Sequence, residues 1–207
     1  MFHDSSRHEH FSRLRQWGLT FIRLVVPWES LEHAGPGDYD FEYMDYLKEL
    51  IAMMPKYGIK CYIDAHQDVW SRFTGGSGAP GWTLEVCGLD IRNLKQTGAA
   101  HAHQLHLAPD DPPPKVWPSG YCKLAAATCA TVFWAGDTFA PKRKIARTKH
   151  LPRMYDDREV ISQEVSLQYF LQQSMIEAYG ILADRLAGLE AVIGFEVSRA
   201  CIEVQPS

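Results

Sequence analysis

No stretch of this chain stays apolar for the ~20 residues that a bilayer-crossing helix needs, so the sequence offers no transmembrane segment. An excess of either charge is also missing. Lys and Arg number 21 against 25 Asp and Glu, a net charge of −4, which argues against nucleic acid or an anionic membrane as the main partner. Met1 to His10 holds no apolar core ahead of a cleavage site, so no secretory signal is expected, and the expected location is intracellular, cytoplasmic or vacuolar. The five cysteines are odd in number and contain no Cys-x-x-Cys pair, which argues against a disulfide framework and against a zinc knuckle.

Phosphate-loop and serine-nucleophile chemistry lack their motifs too. Gly75-Gly76-Ser77-Gly78-Ala79 is not followed by Gly-Lys-Ser/Thr, and Ala79 stands where a nucleophile elbow needs its second glycine. His101, His103 and His106 lie close together, but their spacing does not put three imidazoles on one helix face.

The composition, 46% hydrophobic and 22% charged, is that of one globular domain, expected to span residues 1–207. Phe11, Leu14 and Trp17 recur at helical spacing behind the capping candidates Asp4 and Ser5, and Gly18 marks the stop. Thr20 to Val26 reads as a strand. Arg23 inside it requires a carboxylate partner or a wet cavity, unless the strand is an edge that leaves it in solvent.

Tyr43, Tyr46, Leu47, Leu50, Ile51 and Met54 then follow a helix up to Pro55 and Gly58, and Ile59 to Ile63 reads as a second strand. Strand, helix and strand at this spacing make a βαβ unit with parallel strands. Residues 69–118 are expected as a long loop over the site face, Leu124 to Phe133 as a buried helix ending near Trp134 to Gly136, and 141–160 as a mobile, basic connector. A long amphipathic helix is expected over Gln163 to Ala187, and a third strand over Ala191 to Val197.

Asp64-Ala65-His66-Gln67-Asp68 follows the second strand. If the strand continues, Asp64, His66 and Asp68 share one face, at the strand end where a parallel α/β barrel keeps its chemistry. Three readings stay open for them. A metal site lacks a further ligand at diagnostic spacing, whereas a sugar subsite fits the nearby indoles of Trp28, Trp70 and Trp82; a buried polar network that only shapes the loop is the third.

Trp17 to Leu24, Asp64 to Arg72, Gly75 to Trp82 and Ala191 to Val197 together resemble glycoside hydrolase family five, nearest to its endoglycoceramidase-related fungal branch of glucosylceramidases and steryl β-glucosidases. The resemblance implies an α/β fold, a partial (β/α)₈ barrel running roughly from the second to the fourth βα unit. It also implies a retaining hydrolysis by two glutamates about 5 Å apart, with no cofactor or metal. By the same resemblance Arg23, Asp64, His66 and Asp68 line the glucose subsite, with Trp134 a further candidate, and a glycolipid or other β-glucoside is the expected partner. The family's Asn-Glu-Pro acid/base motif falls on Arg199-Ala200-Cys201, so Ala200 occupies the acid/base position. The nucleophile strand is expected beyond Ser207, and the first barrel strand ahead of Met1. The chain is therefore expected to be a truncated, inactive member of the family; a non-catalytic glycolipid-binding module is the alternative.

Overall fold

A computed structural model describes residues 4–101, 119–150 and 160–196. Helix α1 (Asp4–Gln16) ends as its sequence predicts. Gly18 takes φ +76° and the Leu19 N–H returns to the Leu14 carbonyl at 2.9 Å, closing the last turn. Strand β1 (Phe21–Val25) follows, and helix α2 (Phe41–Met53) starts where the Asp40 carboxylate accepts the Tyr43 N–H at 2.8 Å. Its spacing turns Met44, Leu47 and Ile51 into the core. Pro55 tightens the chain into a 3₁₀ turn, and Gly58 at φ +64° releases it into strand β2 (Lys60–Asp64).

The first two strands pair in parallel, Arg23 opposite Tyr62 and Val25 opposite Asp64. The third strand of this sheet comes much later and is β5 (Val192–Glu196), also parallel, with Asp64 opposite Glu196; the order is β1-β2-β5. All three strands therefore end on the same edge of the sheet. One face buries Cys61 and Ile63, in a core shared with Met44, Leu47 and Ile51 of α2 and Leu171, Ala178 and Leu182 of a later helix. On the other face Arg23 and Val25 stand beside Asp64 in register.

Between β2 and β5 the structure departs from expectation in four places. Residues 69–101, expected as loop, hold short helix α3 (Trp82–Val86) and bury Val69, Trp70, Trp82, Leu84 and Leu94, because two indoles, a valine and two leucines are too much apolar surface to leave in water. Helix α4 (Leu124–Phe139) does not stop at Trp134. It kinks at Ala135 (φ −143°, ψ 23°) and resumes, with the Phe133 carbonyl accepting from Gln172 Nε2 at 2.7 Å. The expected connector 141–160 contributes strand β3 (Lys144–His150), paired antiparallel with β4 (Val160–Ser166). Helix α5 (Leu167–Leu186) consequently starts four residues after Gln163, once that strand has ended, with Ser166 accepting the Tyr169 N–H.

Among the described residues no helix is long and apolar enough to cross a membrane. His103, His106 and Ala200 lie outside the described residues.

Candidate functional site

Arg23 leaves the middle of β1 toward the carboxyl ends of β2 and β5. Its Nη2 lies 3.0 Å from Asp64 Oδ2, at the end of β2, and its Nε lies 3.3 Å from Glu196 Oε2, at the end of β5. The Asp64 carboxylate is buried, with 3% of its side chain exposed, and so needs a positive partner; the guanidinium is half exposed and supplies it. Desolvation pulls the Arg23 pKa down, but the charges of Asp64 and Glu196 outweigh it and the net shift is upward. His66 turns back on the same carboxylate, with Nδ1 at 3.4 Å from Oδ2 and its backbone N–H donating to the Asp64 carbonyl at 2.8 Å.

Three of the four residues that the resemblance assigns to a subsite thus meet, and Glu196 joins them. The expected period-two face does not form, however, because β2 ends at Asp64 and the chain turns sharply. Asp68 faces a different partner, the hydroxyl of Tyr121, which donates to Oδ1. Its backbone forms a two-way bridge with Ser77 (2.8 and 2.7 Å). Trp134 stands half exposed on α4 with its ring edge-on to Phe133.

The turn after β2 is held against local strain. Val69 and Trp70 are consecutive residues at positive φ (+46° and +69°), a conformation that costs about 1–3 kcal/mol per residue. The Val69 carbonyl accepts from Thr74 Oγ1, and the Trp70 carbonyl accepts from Ala79 N at 2.7 Å and Gln67 Nε2 at 2.6 Å. Trp70 Nε1 donates to Thr83 Oγ1 at 2.9 Å. Gly76 passes so close that a Cβ there would meet the Asp68 carbonyl oxygen at 1.8 Å, which explains the glycine run as close backbone approach.

The indoles offered by sequence as sugar platforms are core instead. Trp28, Trp70 and Trp82 are all buried, and Trp28 and Trp82 meet edge-on with centroids 5.3 Å apart. Each spends its N–H inside the protein: Trp28 on the Glu32 carboxylate at 2.6 Å, Trp82 on the Glu32 carbonyl at 2.8 Å, and Trp70 on Thr83. Glu32 is therefore the hub of this layer, and nothing in the sequence pattern marked it. Fully buried, its carboxyl is pushed up to about 7 by desolvation, against the opposing hydrogen bonds from the Gly37 N–H and the Trp28 indole.

The family resemblance assigns no role to Glu196 or to Tyr121. The signal for Glu196 is its place at the end of a strand that pairs with β2, which ends in Asp64. Among the described residues, no group of three or more His, Cys, Asp or Glu side chains is arranged to hold a metal ion.

Residues 2–89 match the cellulase family, glycosyl hydrolase family 5. The chain is similar to a glucosylceramidase of Rhizopus delemar, 59% identical over 189 residues that cover 91% of this chain and 25% of that protein. It is similar as well to the ergosteryl-beta-glucosidase of Saccharomyces cerevisiae, 46% identical over 146 residues, 65% of this chain and 19% of that protein. In structure it resembles sterylglucosidase 1 of Cryptococcus neoformans with tris, with a TM-score of 0.78 at 40% identity over 95% of this chain and 26% of that one. The chain thus spans about a quarter of the length of the curated glucosylceramidases it matches.

Proposed function

Because the chain belongs to glycoside hydrolase family five, we propose that its three strand ends carry the sugar-binding part of a β-glucosidase acting on lipid-linked glucose, either a glucosylceramide or a steryl glucoside. The observation that supports the reading most is the Arg23–Asp64–Glu196 cluster, with His66 on Asp64, at the carboxyl edge of a parallel sheet. Asp64 Oδ2 and Glu196 Oε2 are shielded from solvent, and their ion pairs with Arg23 leave both oxygens without an aligned hydrogen bond. Such oxygens retain acceptor capacity for the hydroxyl groups of a sugar. Asp68, fixed by Tyr121, and the half-exposed ring of Trp134 extend the candidate set.

These residues bind and orient. The retaining displacement needs a carboxylic acid and a carboxylate nucleophile about 5 Å apart, and the positions matching the acid/base motif read Arg199-Ala200-Cys201. General acid catalysis is worth ~10²–10⁴-fold, so these 207 residues on their own hold glucose without hydrolysing it.

The test is titration of the purified chain with glucosylceramide in mixed micelles, followed by tryptophan fluorescence, alongside release of fluorophore from an aryl β-glucoside. Saturable binding that Arg23→Met removes, without turnover, is the expected result. Hydrolysis by the pure chain would contradict the assignment of roles, and failure of the wild-type chain to bind any glucoside would remove the subsite itself.

A further inference from the structure

From Leu124 to Gly136 helix α4 contains no Asp, Glu, Lys or Arg, although one of its sides faces water. Ala125, Ala126, Cys129, Val132 and Phe133 fill the side that packs into the core. Leu124, Ala127, Thr131 and Trp134, at helical spacing, make the outer stripe, with Leu124 64% and Trp134 51% exposed. Past the kink, Phe139 is 74% exposed. A solvated helix side ordinarily carries charge, so one built of leucine, alanine, threonine and aromatic rings marks a surface that meets something apolar.

Cations frame the stripe. Lys123 precedes it, and Lys142, Arg143 and Lys144 follow Phe139 as exposed residues at the start of the β3–β4 ribbon. Lys144 lines one open hollow with Pro141 and Tyr169, which places this basic cluster beside the end of α4. On these segments the opposing charges are Asp137 and Glu164, so cations prevail here although the whole chain carries −4.

We propose that the outer side of α4 is a membrane-docking surface: Leu124, Trp134 and Phe139 enter the headgroup boundary of a bilayer, while Lys123 and the Lys142–Lys144 cluster meet its anionic headgroups.

The composition fits that depth. An indole has an apolar body and a polar N–H, which suits the boundary between headgroups and acyl chains, and basic residues beside it are drawn to anionic lipid. The helix lies on the surface instead of crossing, because its inner side belongs to the core and no described helix is long and apolar enough to cross. Tyr121, just ahead of α4, donates to Asp68, so docking brings the strand-end residues close to the bilayer. The surface stands apart from sugar binding, since vesicles without any glucoside test it.

The experiment mixes the native 207-residue chain, in dilute solution, with vesicles of phosphatidylcholine alone or with added phosphatidylserine, and separates bound protein by flotation. Flotation with the serine-containing vesicles that falls as salt is added is expected. Lys142→Gln combined with Lys144→Gln should weaken partitioning roughly thirty-fold, the share of two surface cations. Leu124→Ser combined with Phe139→Ser should abolish it, and Ile193→Ser, on the exposed edge strand β5, should leave it unchanged. Vesicles with brominated acyl chains should quench part of the tryptophan fluorescence, and Trp134→Phe should remove that quenching while Trp17→Phe keeps it. The proposal is overturned if the wild-type chain stays off the anionic vesicles, if plain phosphatidylcholine binds it equally without salt dependence, or if Ile193→Ser or Trp17→Phe removes the effect in place of the α4 variants. It is equally overturned if the serine pair leaves vesicle binding intact and only turns an oligomer into a monomer, which assigns the stripe to a second copy of the chain. Should the serine pair fail to fold, the salt dependence and the two tryptophan variants decide the matter by themselves.

Discussion

Arg23 carries two obligations at once, to a buried aspartate at the end of the neighbouring strand β2 and to a glutamate at the end of β5, one strand further on. Replacing it by methionine keeps much of the side-chain volume and strands the Asp64 carboxylate without its cation. The expected result is a loss of stability, read as a drop in the urea midpoint with an unchanged slope. Lysine restores the charge but not the fork that reaches both carboxylates, and should recover part of the loss. Glu32 gives a pH signature of opposite kind. Its folded pKa of about 7 lies above the ordinary 4.5, so between those values the folded chain holds a proton that the unfolded chain releases. The stability tied to this group is therefore fully present below pH 4.5 and declines as pH rises toward 7, by at most roughly 3 kcal/mol. Glu32→Gln should lose stability overall, through the disturbed Trp28 hydrogen bond, yet remove this downward slope. Thermal melts of both proteins at pH 5, 6 and 7 compare the slopes, and parallel slopes would refute the assignment.

At the scale of elements, the turn after β2 depends on backbone contact. Gly76→Ala puts a methyl group against the Asp68 carbonyl oxygen, a contact that only a shift of main chain relieves. Loss of several kcal/mol is expected, with Asp68 and Tyr121 separated; an unchanged melting temperature would show that the turn adapts. The elements legible in sequence are those whose residues carry their own period: α2 through Leu47, Leu50 and Ile51, and β1, β2 and β5 through short apolar and β-branched runs. The β3–β4 ribbon was hidden because Lys144 to Lys149 reads as a solvated charge run; its structure comes from pairing with residues 160–166 and from Arg147 reaching Glu177 of α5. The site was half legible. Asp64, His66 and Arg23 were visible from type and place, whereas Tyr121 reaches Asp68 from 53 positions away, and the indoles were misjudged because burial is a property of packing.

At the scale of the whole molecule, the parallel sheet has three strands among the described residues, and β1 and β5 form its two edges there. Phe21 and Val25 on β1, and Ile193 and Phe195 on β5, stay exposed. Open edges flanked by large apolar side chains favour association. The 207-residue chain on its own is expected to bind a hydrophobic dye such as ANS and to elute larger than a monomer at micromolar concentration. A monomer without dye binding would show these faces to be quiet. Binding measurements accordingly belong in dilute solution.

The paired left-handed residues Val69 and Trp70 also set an order of events in time. Their conformation is unfavourable until Thr83 receives the Trp70 indole and Ala79 closes on the Trp70 carbonyl, so the turn cannot precede the docking of α3. It should form late in folding and open early, well before the strands behind it separate. In native-state hydrogen exchange the Ala79 amide, bonded to Trp70, should therefore be lost sooner than the Cys61 amide, which the Ala191 carbonyl holds at 2.8 Å.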